Sequence, residues 1–158
     1  MANYECAWRT NYFHVKNPEL FLRAMNIAKA SSEDLEIFDN NEGVFGIGGY
    51  GLYTYCLDNL DREQYKEGLE VARELGVDKD TYDSGEGFLL EILQKCVADD
   101  DAIIFIEGGH EKLNYVAGSG TIITSKQIEY VDLLGVVLRK ADEILGNPDW
   151  HKNTRVDY

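Results

Sequence analysis

AIIFIEGGHEKLNYVAGSGTIITSKQIEYVD, residues Ala102 to Asp132, decides the fold class. Its Ile103-Ile104-Phe105-Ile106 run is short, continuous and rich in β-branched and aromatic residues, the pattern of a strand buried on both faces. The glycine-bearing turn Gly108 to Glu111 then returns the chain through Lys112 to Ala117. Gly118 to Gly120 turns it once more, and Thr121–Thr124 with Gln127–Asp132 make a further hairpin. Strands joined this closely run antiparallel, because a parallel neighbour needs a crossover of a dozen or more residues.

The same grammar appears upstream. Tyr4 to Lys16 (YECAWRTNYFHVK) is aromatic and β-branched, with Tyr4, Cys6 and Trp8 on one phase and Phe13 and Val15 on the other. A bend or bulge near Asn11 accounts for the change. Leu35–Phe38 and Val44–Ile47 flank Asp39-Asn40-Asn41-Glu42-Gly43 as a hairpin. Leu52 to Leu57 reads as another strand.

Helices lie between these runs. Asn17 caps and Pro18 opens a helix reaching about Lys29, with Leu20, Phe21, Ala24, Ile27 and Ala28 on one face. Asp61 to Leu75 is closed by Gly76. Glu86 to Val97 places Phe88, Leu89, Ile92, Leu93 and Cys96 at helical spacing. Leu133 to Leu145 is ended by Gly146-Asn147-Pro148. Runs of strands separated from helices predict an α+β domain, an antiparallel meandering sheet with about four helices mainly on one face. A single domain over 1–146 and a polar tail over 147–158 are expected.

At 158 residues, a chain of this kind buries roughly 70% of the surface it exposes when unfolded. Ten tyrosines, six phenylalanines and two tryptophans argue against disorder. Cys6, Cys56 and Cys96 are scattered, without CxxC spacing, and fit reduced buried thiols. No charged-then-apolar leader and no apolar run near ~18 residues is present, so a cytoplasmic chain is expected.

The net charge is −14. Such a balance repels nucleic-acid backbones and anionic membranes, and favours solubility or a basic partner. Fourteen acids and five bases fall between Leu57 and Asp101, leaving −9 in that segment. At ~100° per residue Glu63, Glu67, Glu70 and Glu74 form a narrow stripe, with Tyr65, Leu69 and Ala72 pointing away. With Asp78, Asp80 and Asp83 they are the candidate partner-binding residues. Carboxylates repeated every turn can dock a lysine- and arginine-rich surface. They can also be a solubilising face, with Lys66 and Arg73 pairing to Glu63 and Glu70.

Two other constellations are weighed. Gly46-Ile-Gly48-Gly49-Tyr50-Gly51 satisfies G-x-G-x-x-G, but a strand pattern follows where a phosphate site needs a helix N-terminus. A close backbone approach is the expected reason for the glycines. Glu107, His110 and Glu111 share the expected turn, and could supply a general base or metal ligands. An exposed, solvated turn is the simpler account. No catalytic residues, metal ligands or cofactor are assigned.

Arg9-Thr-Asn-Tyr-Phe-His-Val-Lys-Asn17 and Glu107-Gly-Gly-His-Glu-Lys-Leu-Asn-Tyr-Val116 carry a likeness. They resemble a family of small acidic proteins of bacterial phages, plasmids and integrated elements, with R-[ST]-N-Y-F-x-V-[KT] early and E-x-G-x-E-K-L-x-Y later. The resemblance implies an inhibitor of a host defence system that occupies a nucleic-acid-binding surface. The expected function is therefore a non-catalytic, protein-binding inhibitor or adaptor. The alternatives are a small metal-dependent hydrolase at Glu107, His110 and Glu111, and a ligand-binding domain using the glycine bend.

Overall fold

The phase change at Asn11 is where the first strand breaks. In the computed structural model the described residues are 5–154, except 33, 41, 52, 82, 83 and 112–114; the side chains of 111, 115 and 116 are also outside the description. Strand β1 (Glu5–Thr10) buries Trp8 and Thr10, and β2 (Phe13–His14) resumes with Phe13 inward. Asn11 bridges the break. Its Oδ1 accepts the Ile104 N–H at 2.8 Å and its Nδ2 donates to the Ala102 carbonyl at 3.1 Å. One side chain thus satisfies backbone groups that the bend would leave unpaired.

Strands β3 (Glu36–Asp39), β4 (Val44–Tyr50), β5 (Ile103–Glu111), β6 (Tyr115–Ile123) and β7 (Ile128–Asp132) complete one antiparallel sheet. The order is β2-β4-β1-β5-β6-β7, with β3 on β4. β5 lies centrally. The register puts Trp8 opposite Glu107, Glu107 opposite Ser119, and Ser119 opposite Asp132. These four therefore lie in one row on one face of the sheet.

Four helices form where the capping residues allow. Helix α1 (Pro18–Ser31) starts at Asn17, whose Oδ1 accepts the Leu20 N–H. Helix α2 (Arg62–Leu75) has a reciprocal capping box between Asp61 and Gln64, and ends at Gly76 with φ 72°. Helix α3 (Gly85–Cys96) is capped by Ser84, and α4 (Leu133–Leu145) by Asp132 and Gly146. Phe21, Met25, Val71, Leu89, Ile92 and Leu93 from α1–α3 pack with Trp8, Phe13, Phe45, Ile47, Ile103 and Phe105 from the sheet. Each such buried side chain contributes about 1.5–3 kcal/mol of transfer free energy. The opposite face of the sheet is left open.

Three local readings are corrected. Gly108–Glu111 and Gly118–Gly120 are not turns; both lie within long strands. Gly108 pairs with Gly118, and Ile106 with Gly120, so the glycines sit inside the ladder. Residues 53–56 are not a strand either. The segment is pinned by Tyr55 N–H to the Gly85 carbonyl (3.0 Å) and by Cys56 N–H to Ser31 Oγ (3.3 Å), while the Tyr55 ring is buried. The expected polar tail opens on an ordered segment. A 3₁₀ turn (Trp150–Asn153) docks on α4 through His151, whose backbone N–H and ring Nδ1 both meet the buried Asp142 carboxylate.

Candidate protein-binding surfaces

The predicted carboxylate stripe is real on α2, but its members differ. Arg23 of α1 reaches across to donate from Nε to Glu67 (2.7 Å) and from Nη1 to Glu74 (3.0 Å). These two carboxylates clasp α1 to α2. Hydrogen bonds to both, Glu67 first, hold the Arg23 guanidinium well above its ordinary range. Glu63 and Glu70 are exposed and form no ion pair among the described residues. Lys66 and Arg73 do not pair with them, contrary to the neighbouring-turn expectation.

The buried side of α2 is also displaced from the predicted one. It consists of Gly68, Val71 and Ala72, while Tyr65 and Leu69 are only partly covered. Gly68 is the pivot. A Cβ there would lie 2.5 Å from Leu57 Cδ2 and 3.2 Å from Ile27 Cγ2, and the Tyr55 hydroxyl donates to the Gly68 carbonyl. A glycine carries no hydrophobic signal, so periodicity missed this contact.

Beyond Gly76, Asp78 and Asp80 are exposed, and Asp78 Oδ1 accepts the Asp80 N–H at 3.0 Å. Asp83 lies outside the described residues. Between them Lys79 donates to the Tyr65 hydroxyl at 3.0 Å, the first cause raising its ammonium above the ordinary range. Arg62, Lys66 and Arg73 share the solvent side of α2. The field of α2 alone is therefore mixed, and the acidic excess comes from α2 together with the segments flanking it.

The glycine stretch is built into β4 rather than into a phosphate loop. Gly48 and Gly49 lie opposite Arg9 and Trp8. A Cβ on Gly49 would fall 2.5 Å from the Asp34 carbonyl oxygen and 3.1 Å from Trp8 Cζ2. Close backbone approach explains the glycine, as the sequence suggested.

Glu107 and His110 do not share a turn. They stand on strand β5 at positions of opposite parity, so their side chains leave opposite faces. His110 Nε2 lies 3.8 Å from Glu5 on the open face. Glu111 belongs to β5, with its side chain outside the description. Among the described residues, Glu107 and His110 therefore do not converge as the turn reading expected.

Glu107 instead faces a group that sequence reading did not assemble. Tyr53 packs edge-on to Trp8 (5.7 Å) and against Phe105 (4.6 Å). Burial first, then the charges of Glu107 and Glu86, push its phenol well above the ordinary range. Burial and the same two carboxylates raise the Cys6 thiol. Next to Glu107 a cleft of about 350 Å³ is bordered by Ser119, Tyr130, Asp132, Leu134 and Val137. Only the placement of Tyr53 by an irregular segment brings this cluster together.

Comparisons with known protein families, curated proteins and solved structures find no match. Among the described residues no helix is long and apolar enough to cross a membrane.

Proposed function

We propose that this protein is a non-catalytic binding module, an inhibitor or adaptor whose acidic side meets a basic protein surface. The observation that carries the reading is the set of exposed carboxylates Glu63, Glu70, Asp78 and Asp80, none of them in an ion pair among the described residues. An exposed carboxylate outside ion pairs is free to meet a cation, and it raises the association rate with a cationic partner. The segment from Leu57 to Asp101, with a balance of −9, extends the same sign around them. The resemblance to small acidic proteins of mobile elements supports a target among nucleic-acid-binding host defence components.

Capture from a host lysate tests the reading. The wild-type chain is compared with a Glu63→Gln, Glu70→Gln, Asp80→Asn variant, which removes three exposed charges and no ion pair. A protein bound at low salt should be lost from the variant. The difference should shrink near 1 M salt, where the Debye length is ~3 Å. Equal retention of that protein by both chains across salt concentrations would refute the proposal. Glu67→Gln with Glu74→Gln serves as the contrasting pair, because it loosens α1 from α2 rather than changing the free carboxylates.

A further inference from the structure

Glu107, Ser119 and Asp132 stand side by side on β5, β6 and β7, each opposite the next in the register. Adjacent strands lie about 4.8 Å apart, so the two carboxylate positions are roughly 10 Å apart with a hydroxyl between them. Each of the three keeps acceptor capacity. Glu107 meets the Tyr53 hydroxyl, and Asp132 Oδ2 accepts the Gly135 N–H at 2.7 Å. A carboxylate has about four lone-pair sites, so neither group is saturated by one bond. Ser119 makes no side-chain hydrogen bond among the described residues.

This row borders the cleft of about 350 Å³, whose other wall is Leu133, Leu134 and Val137 at the start of α4. Those side chains are 56%, 44% and 54% exposed, so the described chain leaves the wall half open to solvent. Among the described residues no lysine, arginine or histidine lines the cleft. Arg139 approaches Asp132 near Gly135, yet it forms no ion pair among the described residues. Glu86 adds a third carboxylate, close enough to act on both Tyr53 and Cys6. The cleft therefore joins a negative floor to an apolar wall.

We propose that this cleft binds a small organic amine, a primary ammonium carried on an apolar body, at a site separate from the carboxylates of α2. The ammonium stands over Ser119, between the two carboxylates. Its three N–H donors match the three acceptors of the row. The apolar body lies against Leu134 and Val137. Charge complementarity selects a cation, and the wall selects one with a hydrophobic body. A bare metal ion fits less well, because no group of three metal-ligating side chains converges among the described residues. The volume lies within the roughly 300–1,000 Å³ of small-molecule sites, where a few polar groups orient a ligand held by apolar walls.

An NMR titration of the full chain with phenethylamine at low salt tests this, with 2-phenylethanol as an uncharged body of similar shape. Amide shifts at Glu107, Ser119 and Asp132 to Val137 should saturate, with a Kd on the order of 1 mM or below for so small a ligand. The alcohol should bind roughly ten-fold more weakly or worse, having lost its charge-assisted bonds. Glu107→Gln and Asp132→Asn keep side-chain size, and Asn still caps α4. Each should weaken amine binding by about ten-fold. Glu19→Gln removes the same charge from the exposed first turn of α1 and should leave binding unchanged. Absence of saturable shifts with the amine overturns the proposal. Equal binding of the alcohol, or equal losses in Glu19→Gln and Glu107→Gln, overturns it too. Cleft shifts with trilysine but not with phenethylamine overturn it in favour of a basic protein segment.

Discussion

Replacing Gly49 with alanine isolates the reason for the glycine-rich stretch. The new Cβ would stand 2.5 Å from the Asp34 carbonyl oxygen and 3.1 Å from Trp8 Cζ2. Carbon and oxygen rarely approach closer than about 3.3 Å even in favourable contacts. Neither neighbour can yield cheaply. The first is backbone, and the Trp8 ring is buried and stacked on Phe105 with centroids 5.0 Å apart. Overpacking of this kind costs about 1–3 kcal/mol. Against it, alanine lowers the entropy of the unfolded chain, an offset of about 0.4–1 kcal/mol. Gly120→Ala is the control, because its nearest neighbour is the Phe105 carbonyl oxygen at an ordinary 3.8 Å. Both variants carry the same unfolded-state term, so their difference reports the clash alone. Urea unfolding with a shared m-value should place Gly49→Ala about 1–3 kcal/mol below Gly120→Ala. In a chain of this size that is a fall of about 2–4 °C in Tm per kcal/mol. Stabilities within about 0.5 kcal/mol of each other, the scatter of innocuous substitutions, would refute the close-approach argument.

Three further outcomes follow from individual contacts. Tyr55→Phe should cost about 1 kcal/mol in urea unfolding, because the buried hydroxyl loses its bond to the Gly68 carbonyl. Burial pushes the Asp101 carboxyl up, but the His14 backbone N–H, then its ring and the Ala102 N–H, outweigh this and hold it below the ordinary range. A depressed carboxyl adds stability above its unfolded pKa and loses it as pH falls through the folded value. Asp101→Asn should therefore flatten the acid limb of a stability-versus-pH curve below about pH 4, and an unchanged limb would contradict the contact. Burial pushes the Cys96 thiol up to about 12, so a thiol reagent at pH 8 should label Cys96 only as fast as the chain unfolds. Labelling at the rate of a free thiol would show that Cys96 is not enclosed.

The helices were legible because their ends are written locally. Asn17 before Pro18, Asp61 three residues before Gln64, and Gly76 and Gly146 after their helices all cap as their residue types require. The bend at Asn11 was legible too, since strand phase records which side chains face inward. What failed were signals with two meanings. Glycine marks a turn or a strand position pressed against a neighbour, and only the pairing of Gly108 with Gly118 decides. Tyr53 and Tyr55 alternate like a strand, yet they reach the core from an irregular segment held by Gly85 and Ser31. For the candidate surface the limit is distance along the chain. Arg23 lies 44 residues from Glu67 and 51 from Glu74, so no local pattern shows that it claims these two and leaves Glu63 and Glu70. An acidic helix is visible in composition. Which of its carboxylates stay outside ion pairs among the described residues is set by the helix packed beside it, and those are fewer and more widely spread than the stripe suggested.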